Sequence, residues 1–207
     1  MSELLEKLTS RFDATNIEQV TTESENSIQL VLIKGITENN RNLQVLTTIG
    51  LSNYKMPVDD AHLAYQYIEL CFALPSYWDV NDSTNPNFNW VNHWLIRLSN
   101  YLVEKKTWFG HGHTIATASP PIELSQTMKQ TYFMFADPIA LAKNLTTMQI
   151  GDTDVRFLFV IPLFKDEFEH KVARGTFSLL NKFKQKNYAE ILDDYRTSSV
   201  RKKYLLF

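Results

Sequence analysis

The 207 residues carry 21 Lys and Arg against 23 Asp and Glu, a formal net charge of −2 that excludes both a strongly basic nucleic-acid binder and an acidic DNA mimic. Hydrophobic residues make up 44% and aromatic residues 13%, which is enough for a packed core, and the length predicts one domain over residues 1–207. No run approaches the roughly 20 apolar residues that cross a bilayer, and the N-terminus lacks a signal-peptide pattern, so we expect a cytoplasmic protein without a membrane partner.

The first part of the chain predicts a helix followed by a β-hairpin. Residues Ser2–Phe12 begin at a capping serine and share an apolar face, which indicates a helix. A polar loop is predicted at 21–27. Residues Ile28–Ile33 form a short run of branched residues, which indicates a strand. The turn residues at 38–42 then lead into a second strand, Leu43–Leu51, and the two strands together suggest a hairpin.

A third strand is predicted over Tyr67–Leu74. It ends before Pro75, which cannot donate to a β-ladder. Glu69 interrupts its apolar run and is predicted to face solvent or a basic partner. A general acid with a raised pKa is the alternative, although Glu69 has no visible companion. Cys71 is the only cysteine, which excludes an internal disulfide, and its apolar neighbours predict a buried, unreactive thiol.

The polar segment Asp79–Asn89 places oxygen-bearing side chains at odd positions, as a calcium loop does. The required glycine is replaced by Thr84 and the closing glutamate by Trp90, so the calcium pattern fails. A turn that ends in an Asn89 helix cap is predicted instead. The apolar residues over 90–102 then recur at helical spacing, which predicts a helix pressed against a sheet.

Beyond a Gly/His turn at Gly110–Thr114, the second half of the chain predicts strands and an interrupted helix. The predicted strands cover 114–117, 131–135 and 155–163, with a turn at Gly151-Asp152. Asp166 and Glu169 form a capping pair for a helix that Gly175 interrupts. Residues 201–207 are basic and then apolar, a terminus that could dock or fray. Because strands and helices do not alternate strictly, the predicted class is α+β, with a mixed, largely antiparallel sheet packed with helices.

The chain contains no phosphate-binding glycine loop, no nucleophile elbow and no His-Glu-x-x-His pair, so we predict no catalytic residues and no cofactor. The best enzymatic alternative is a metal-dependent hydrolase. His111 and His113 would point the same way along a strand and could share a zinc or iron ion. Other ligands would come from Asp59, Asp60, His62 or His93. The glycines at 110 and 112 suit a tight turn equally well, and no metal is predicted.

Five motifs follow one another in a fixed order. They are the Gly-Leu-Ser turn in Ile49–Ser52, the Glu-Leu strand Ile68–Leu74, the Trp-led helix Trp94–Tyr101, the turn Phe109–Thr114, and the Phe-Leu strand Arg156–Leu163 with the acidic segment Asp166–Glu169. In order and spacing these motifs resemble the suppressor of fused family. The resemblance is strongest over residues 43–183 and implies a suppressor-of-fused-like fold.

The resemblance implies a protein-binding domain and not an enzyme. Single-domain bacterial members of that family are often immunity proteins of polymorphic toxin systems, which act as antitoxins by forming a complex with a cognate toxin. Animal members carry a second domain and regulate a transcription factor by clamping a peptide. This chain is too short to include that second domain, so the immunity function is favoured and the regulator remains an alternative.

The family's peptide-contacting tyrosine matches Tyr101, and its partner aspartate falls at or beside His113. That residue is not an acid, which counts against the animal-type peptide target. Exposed Trp and Tyr side chains supply interface hot spots. The predicted partner-binding residues are therefore Tyr101, His111, His113, Trp78 and Trp108, with Tyr77 and Phe88 as further candidates.

Overall fold

The computed structural model describes residues 2–20 and 27–200. Residues 21–26 of the loop predicted at 21–27, and the predicted terminal segment 201–207, lie outside the described residues. The helices are α1 (Glu3–Phe12), α2 (Trp90–Lys105), α3 (Lys165–Arg174) and α4 (Thr176–Gln185). The strands are β1 (Ile17–Val20), β2 (Gln29–Glu38), β3 (Arg41–Ile49), β4 (Ile68–Pro75), β5 (Thr114–Ala116), β6 (Tyr132–Ala136), β7 (Thr147–Ile150) and β8 (Thr153–Leu163).

The strands form one sheet in the order β1-β2-β3-β4-β8-β6-β5, and β7 pairs with β8 beside this path. Within the described residues β4 and β8 run parallel, whereas the other pairs are antiparallel. The predicted hairpin is β2–β3, and its turn residues Asn39 and Asn40 have φ of +50° and +59°. Asparagine tolerates this left-handed backbone, which matches the twist of a two-residue hairpin. The predicted α+β class is confirmed.

Both faces of the sheet are covered. Alternate side chains of the central strand β4 point to opposite layers: Leu70, Phe72 and Leu74 face α2, and Cys71 and Ala73 face α1. Helix α2 buries the apolar face that the sequence predicts, through residues that include Val91, Leu95, Leu98 and Leu102. Helix α4 covers β6 and the end of β8 through Leu179 and Phe183. The predicted burial of Cys71 is confirmed, and burial raises the pKa of its thiol.

Three helix starts can be compared with their predicted caps. Asn89 directly precedes α2, but its side chain donates to the Ser83 carbonyl at 2.8 Å and does not cap the helix.

The other two helices with a predicted cap are α1 and α3. Ser2 caps α1, since its Oγ accepts the Leu5 N–H at 3.3 Å. The predicted cap Asp166 is wrong, because α3 begins at Lys165, directly after β8 and Phe164. The Phe164 N–H donates instead to Glu167 Oε2 at 3.0 Å. In the capping pair, the buried Glu167 side chain therefore takes the part that the sequence assigned to Glu169.

The prediction that Glu69 faces solvent or a basic partner is wrong, because its side chain is completely buried. The turn between β3 and β4 supplies its partners: the N–H groups of Gly50 and Ser52 donate to Oε1 at 3.0 and 3.1 Å, and the Thr48 hydroxyl donates to Oε2 at 2.6 Å. Burial raises the pKa of the Glu69 carboxyl, and these hydrogen bonds act in the opposite direction. The Glu-Leu strand and the Gly-Leu-Ser turn are thus one structural unit.

Among the residues described, no helix combines the length and the apolar character needed to span a bilayer.

Candidate partner-binding surface

The segment from Trp108 to His113 lies between α2 and β5, the strand at one end of the sheet order. Three rings lie side by side here. The Trp108 ring centroid is 4.4 Å from that of His113 and 4.8 Å from that of His62, which lies on the short helical turn Asp60–Tyr65. We call these three residues the aromatic row. All three are half-buried, so each presents part of its ring to solvent while its neighbours fix its position.

The two glycines of the Gly/His turn make this arrangement possible. Gly112 has φ +85°, and a Cβ at this position would lie 2.5 Å from Thr176 Oγ1 at the start of α4. A Cβ on Gly110 would lie 2.6 Å from the Trp108 ring. The turn is also fixed to the sheet, because the Gly112 N–H donates to the Phe135 carbonyl at 2.7 Å. The glycines therefore let the chain pack tightly between β6 and α4.

His111 and His113 do not share a site. They lie in the turn before β5 and not along a strand, so their side chains take different partners. His111 Nδ1 accepts the Asp137 N–H at 3.1 Å, whereas His113 packs on Trp108. Within the described ranges, no group of three or more His, Cys, Asp or Glu side chains is close enough to hold a metal ion. The shared ion that the hydrolase alternative requires therefore has no ligand set among these residues.

A polar network fixes Asp137, the residue whose backbone N–H donates to His111. Asp137 accepts the Tyr65 hydroxyl on Oδ2 at 2.9 Å and the Arg156 Nη1 on Oδ1 at 2.8 Å. The Arg156 guanidinium also lies 4.9 Å from the Tyr65 ring centroid. Burial and the bond to Asp137 raise the pKa of the Tyr65 phenol, so this hydroxyl stays protonated at neutral pH. The network holds the 60–65 turn, β8 and the end of β6 together.

The protonation of the two imidazoles follows from their contacts. Because His111 Nδ1 accepts a backbone N–H, the neutral ring carries its proton on Nε2, where it can donate to a partner. Desolvation lowers the pKa of His113, and the charges of Lys171 and His62 act in the same direction. A hydrogen bond to the Trp108 carbonyl opposes them. His113 is therefore neutral at pH 7.

Tyr101 lies on a neighbouring part of the surface. It is 38% exposed near the end of α2, and its ring stacks on Phe109 with centroids 6.0 Å apart. Phe109 in turn stacks on Phe135 in the core, at 3.8 Å. Tyr101 also lines a groove of about 1250 Å³ between α2 and β1, together with Arg97. It therefore lies beside the Gly/His turn but faces a separate depression.

Trp78 is a correction to the predicted site. It is 1% exposed, its Nε1 donates to the Phe88 carbonyl at 2.9 Å, and its ring packs against Trp90. Tyr77 is exposed and donates to Asp194 Oδ1 at 2.7 Å. Both residues precede α2, whereas Trp108 and His113 follow it, and a helix of this length spans roughly 20 Å. We therefore leave Trp78 out of the candidate surface.

Sequence reasoning did not single out Tyr65, Asp137 and Arg156. The residues that bond to each other are 19 and 72 positions apart in the chain, so no local sequence pattern connects them. Asp137 follows β6 directly, and the end of a strand next to a turn was the one available signal. The sequence offers His62 only as a metal ligand, because its contact with Trp108 depends on the tertiary fold.

The sequence matches the model of the family described as suppressor of fused protein (SUFU) over residues 15–197. No curated protein matches it significantly. Among solved structures, the Sufu–Fu complex matches with a TM-score of 0.65 and 16% identity, over 94% of this chain and 88% of that chain.

Two further structures are similar. Drosophila Suppressor of Fused matches with a TM-score of 0.65 and 17% identity over 95% of this chain, which spans 50% of that protein. A putative SUFU homologue from Neisseria gonorrhoeae FA 1090 matches with a TM-score of 0.61 and 16% identity, over 96% of this chain and 93% of that one. At these identities the likeness concerns the fold.

Proposed function

The chain belongs to the suppressor of fused family, and from this premise we propose that it is an immunity protein that neutralises a cognate protein toxin by forming a complex with it. The family and the fold point to a protein-binding domain. The Sufu–Fu structure is itself a complex between a protein of this fold and another protein. The identification of the partner as a toxin comes from the resemblance to single-domain bacterial members, and it is the part that needs an experiment.

The observation that carries the proposal is an open sheet edge beside the aromatic row. Strand β5 ends the strand order and pairs, within the described residues, with β6 alone. Its three residues are half-buried, so each keeps part of its surface exposed. An edge strand offers backbone N–H and C=O groups to an incoming extended segment. His113 directly precedes this strand, so a segment that pairs with β5 would meet the aromatic row at its end.

The chemistry of the row suits a protein partner. Tryptophan supplies a large contact area, and its side chain loses little conformational entropy on binding. It is also enriched among interface hot spots. Trp108 is already held by His62 and His113, so little side-chain ordering is needed when a partner arrives. The His111 Nε2–H can donate to a partner, and desolvation holds the pKa of His113 below its ordinary value, so the surface offers polar contacts beside the Trp108 ring.

The test is co-expression with the C-terminal domain of a toxin encoded beside this gene. We expect rescue of growth and a stable complex on size exclusion. Trp108→Ala should weaken the complex by about tenfold or more, as truncation of a hot-spot residue does. Tyr195→Ala is the matched control, since Tyr195 is 85% exposed and lies outside the surface. Rescue without any complex would overturn neutralisation by sequestration.

A further inference from the structure

The charge of the chain is unevenly distributed. From Lys171 to Ala189 there are five Lys and Arg residues and no Asp or Glu, although the whole chain has a net charge of −2. This segment covers the end of α3 and all of α4. The proposed function does not use it. A local field of one sign on a nearly neutral protein favours a partner of the opposite sign.

Most of these cations are not neutralised within the protein. In the described part of the chain, Lys171, Arg174, Lys182 and Lys184 form no ion pair. The exposed acid on α3, Glu169, pairs with Lys165 at 3.6 Å, one turn towards the start of the helix. The fifth cation, Lys186, donates to the Ser198 carbonyl at 2.6 Å. Four positive charges are therefore available to a partner.

Two apolar side chains lie among these charges. Phe177 is 78% exposed and Val172 is 66% exposed. On α4, Phe177 and Lys184 are seven residues apart and share the outward face, while Leu179 and Phe183 point into the core. Phe177 therefore adds little to the core of the protein. Aromatic residues and arginine are enriched in interfaces, and Phe177 and Arg174 supply both here. We call Lys171, Val172, Arg174, Phe177, Lys182 and Lys184 the basic corner.

The basic corner adjoins the candidate partner-binding surface. The first residue of α4, Thr176, touches the Gly/His turn, since a Cβ on Gly112 would lie 2.5 Å from its Oγ1. Lys171 is near enough to His113 for its charge to act on the imidazole. A partner that pairs with β5 and covers the aromatic row can therefore extend across Thr176 onto the corner.

We propose that the basic corner is a second docking surface, which binds an acidic segment of the protein partner carrying an apolar side chain. The carboxylates of that segment would contact Arg174 and Lys184, and its apolar side chain would pack on Phe177 and Val172. This inference deepens the proposed function and rests on it for the partner being a protein.

A short peptide fits the corner better than an extended polyanion does. The net charge of −2 means that the rest of the chain is acidic and repels a nucleic acid or an anionic bilayer beyond the corner. A segment of a few residues would contact the corner alone.

The first test uses a fluorescein-labelled peptide of alternating Glu and Leu residues, with a matched Gln–Leu peptide, in anisotropy titrations. We expect the acidic peptide to bind at least about tenfold more tightly than the neutral one, and its affinity to fall between about 0.05 and 0.3 M NaCl. An R174E/K184E variant should lose about tenfold or more, and F177S about threefold or more, because these residues supply the charge and the apolar contact. The matched control, K55E/K143E, makes the same charge change elsewhere and should stay within about twofold.

Three results would overturn the inference: equal binding of both peptides, an equal loss in K55E/K143E, or tighter binding of phosphatidylserine vesicles or of oligo(dT) than of the acidic peptide. If charge reversal prevents folding, R174Q/K184Q replaces it with the same expected direction.

The cognate toxin domain separates the two proposals. A toxin complex that R174E/K184E leaves unchanged contradicts the basic corner alone. Acidic peptide binding at the corner, without any toxin complex, contradicts the immunity function alone.

Discussion

The carboxylate of Glu69 accepts both the backbone N–H and the hydroxyl of Ser52, at 3.1 and 2.7 Å on the same oxygen. A Glu69→Gln substitution replaces one carboxylate oxygen with an NH₂ donor, so donors of the turn would face another donor at a buried side chain. We expect the free energy of unfolding to fall by about 3 kcal/mol. Urea unfolding of this variant beside Glu104→Gln, an exposed control on α2, measures the effect. A loss below about 1 kcal/mol would show that the turn does not depend on the carboxylate.

Glu69 also shows what a single sequence leaves open. The apolar run around it predicted a strand correctly, because side-chain periodicity is a local property. Whether a charged residue in such a run faces water or a set of backbone donors depends on the neighbouring strand. Thr48 and Ser52 are 17 to 21 residues away from Glu69, and only the β3–β4 register brings them to it. Burial of a carboxylate therefore could not be inferred from its neighbours in the sequence.

At the candidate surface, too, local structure could be predicted from the sequence and tertiary contacts could not. The glycine spacing around 110–112 predicted a turn, and exposed imidazoles were expected there. The parallel pairing of β4 with β8 was not predicted, and it brings Arg156 beside the 60–65 turn. The buried position of Trp78 was missed for a related reason, since a tryptophan in a polar loop has the same local sequence whether its ring points inwards or outwards.

Gly112 should be far less tolerant of substitution than Gly151. Both have positive φ, +85° and +53°, but a Cβ on Gly112 meets Thr176 whereas a Cβ on Gly151 meets nothing within 4 Å. Gly151→Ala should cost about 1 kcal/mol, the backbone term alone. Gly112→Ala should cost about 3 kcal/mol, because the clash adds to that term. Thermal unfolding with Thr176→Ala in both backgrounds checks this, since the second substitution should restore part of the loss. Equal costs at the two glycines would contradict the crowding.

The ion pair between Glu167 and Arg196 should stabilise the protein far more than its surface pairs do. The side chains are 0% and 7% exposed, and the two bonds are 2.7 and 2.9 Å long. Either Glu167→Gln or Arg196→Met leaves one buried charge without its counter-charge, and we expect each to cost about 3–5 kcal/mol. The double variant should cost much less than the sum. Lys165→Met, which breaks an exposed pair on the same helix, is the control and should cost less than about 1 kcal/mol.

Substitution of Trp78 and Trp108 should separate stability from binding. Trp78 is 1% exposed and Trp108 is half-buried at the surface. Trp78→Ala removes a core side chain and should cost about 3–5 kcal/mol in the free energy of unfolding. Trp108→Ala should cost clearly less and should act mainly on the affinity for the partner. The test is to measure the free energy of unfolding and the affinity for the partner on both variants. A larger stability loss in Trp108→Ala than in Trp78→Ala would contradict the assignment of Trp78 to the core and Trp108 to the binding surface.

His113 should make the stability of the protein sensitive to acid. Its pKa is lowered in the folded state by desolvation and by the charges of Lys171 and His62, whereas in the unfolded chain it lies near 6.5. Below that pH the unfolded chain binds a proton that the folded protein does not, so stability is lost as the pH falls. The free energy of unfolding should therefore fall more steeply from pH 7 to 5 in the wild type than in His113→Gln. The difference is at most about 1.4 kcal/mol per pH unit, and the two curves should run parallel above pH 7.5. Parallel curves over the acid range would mean that folding leaves the protonation of this imidazole unchanged.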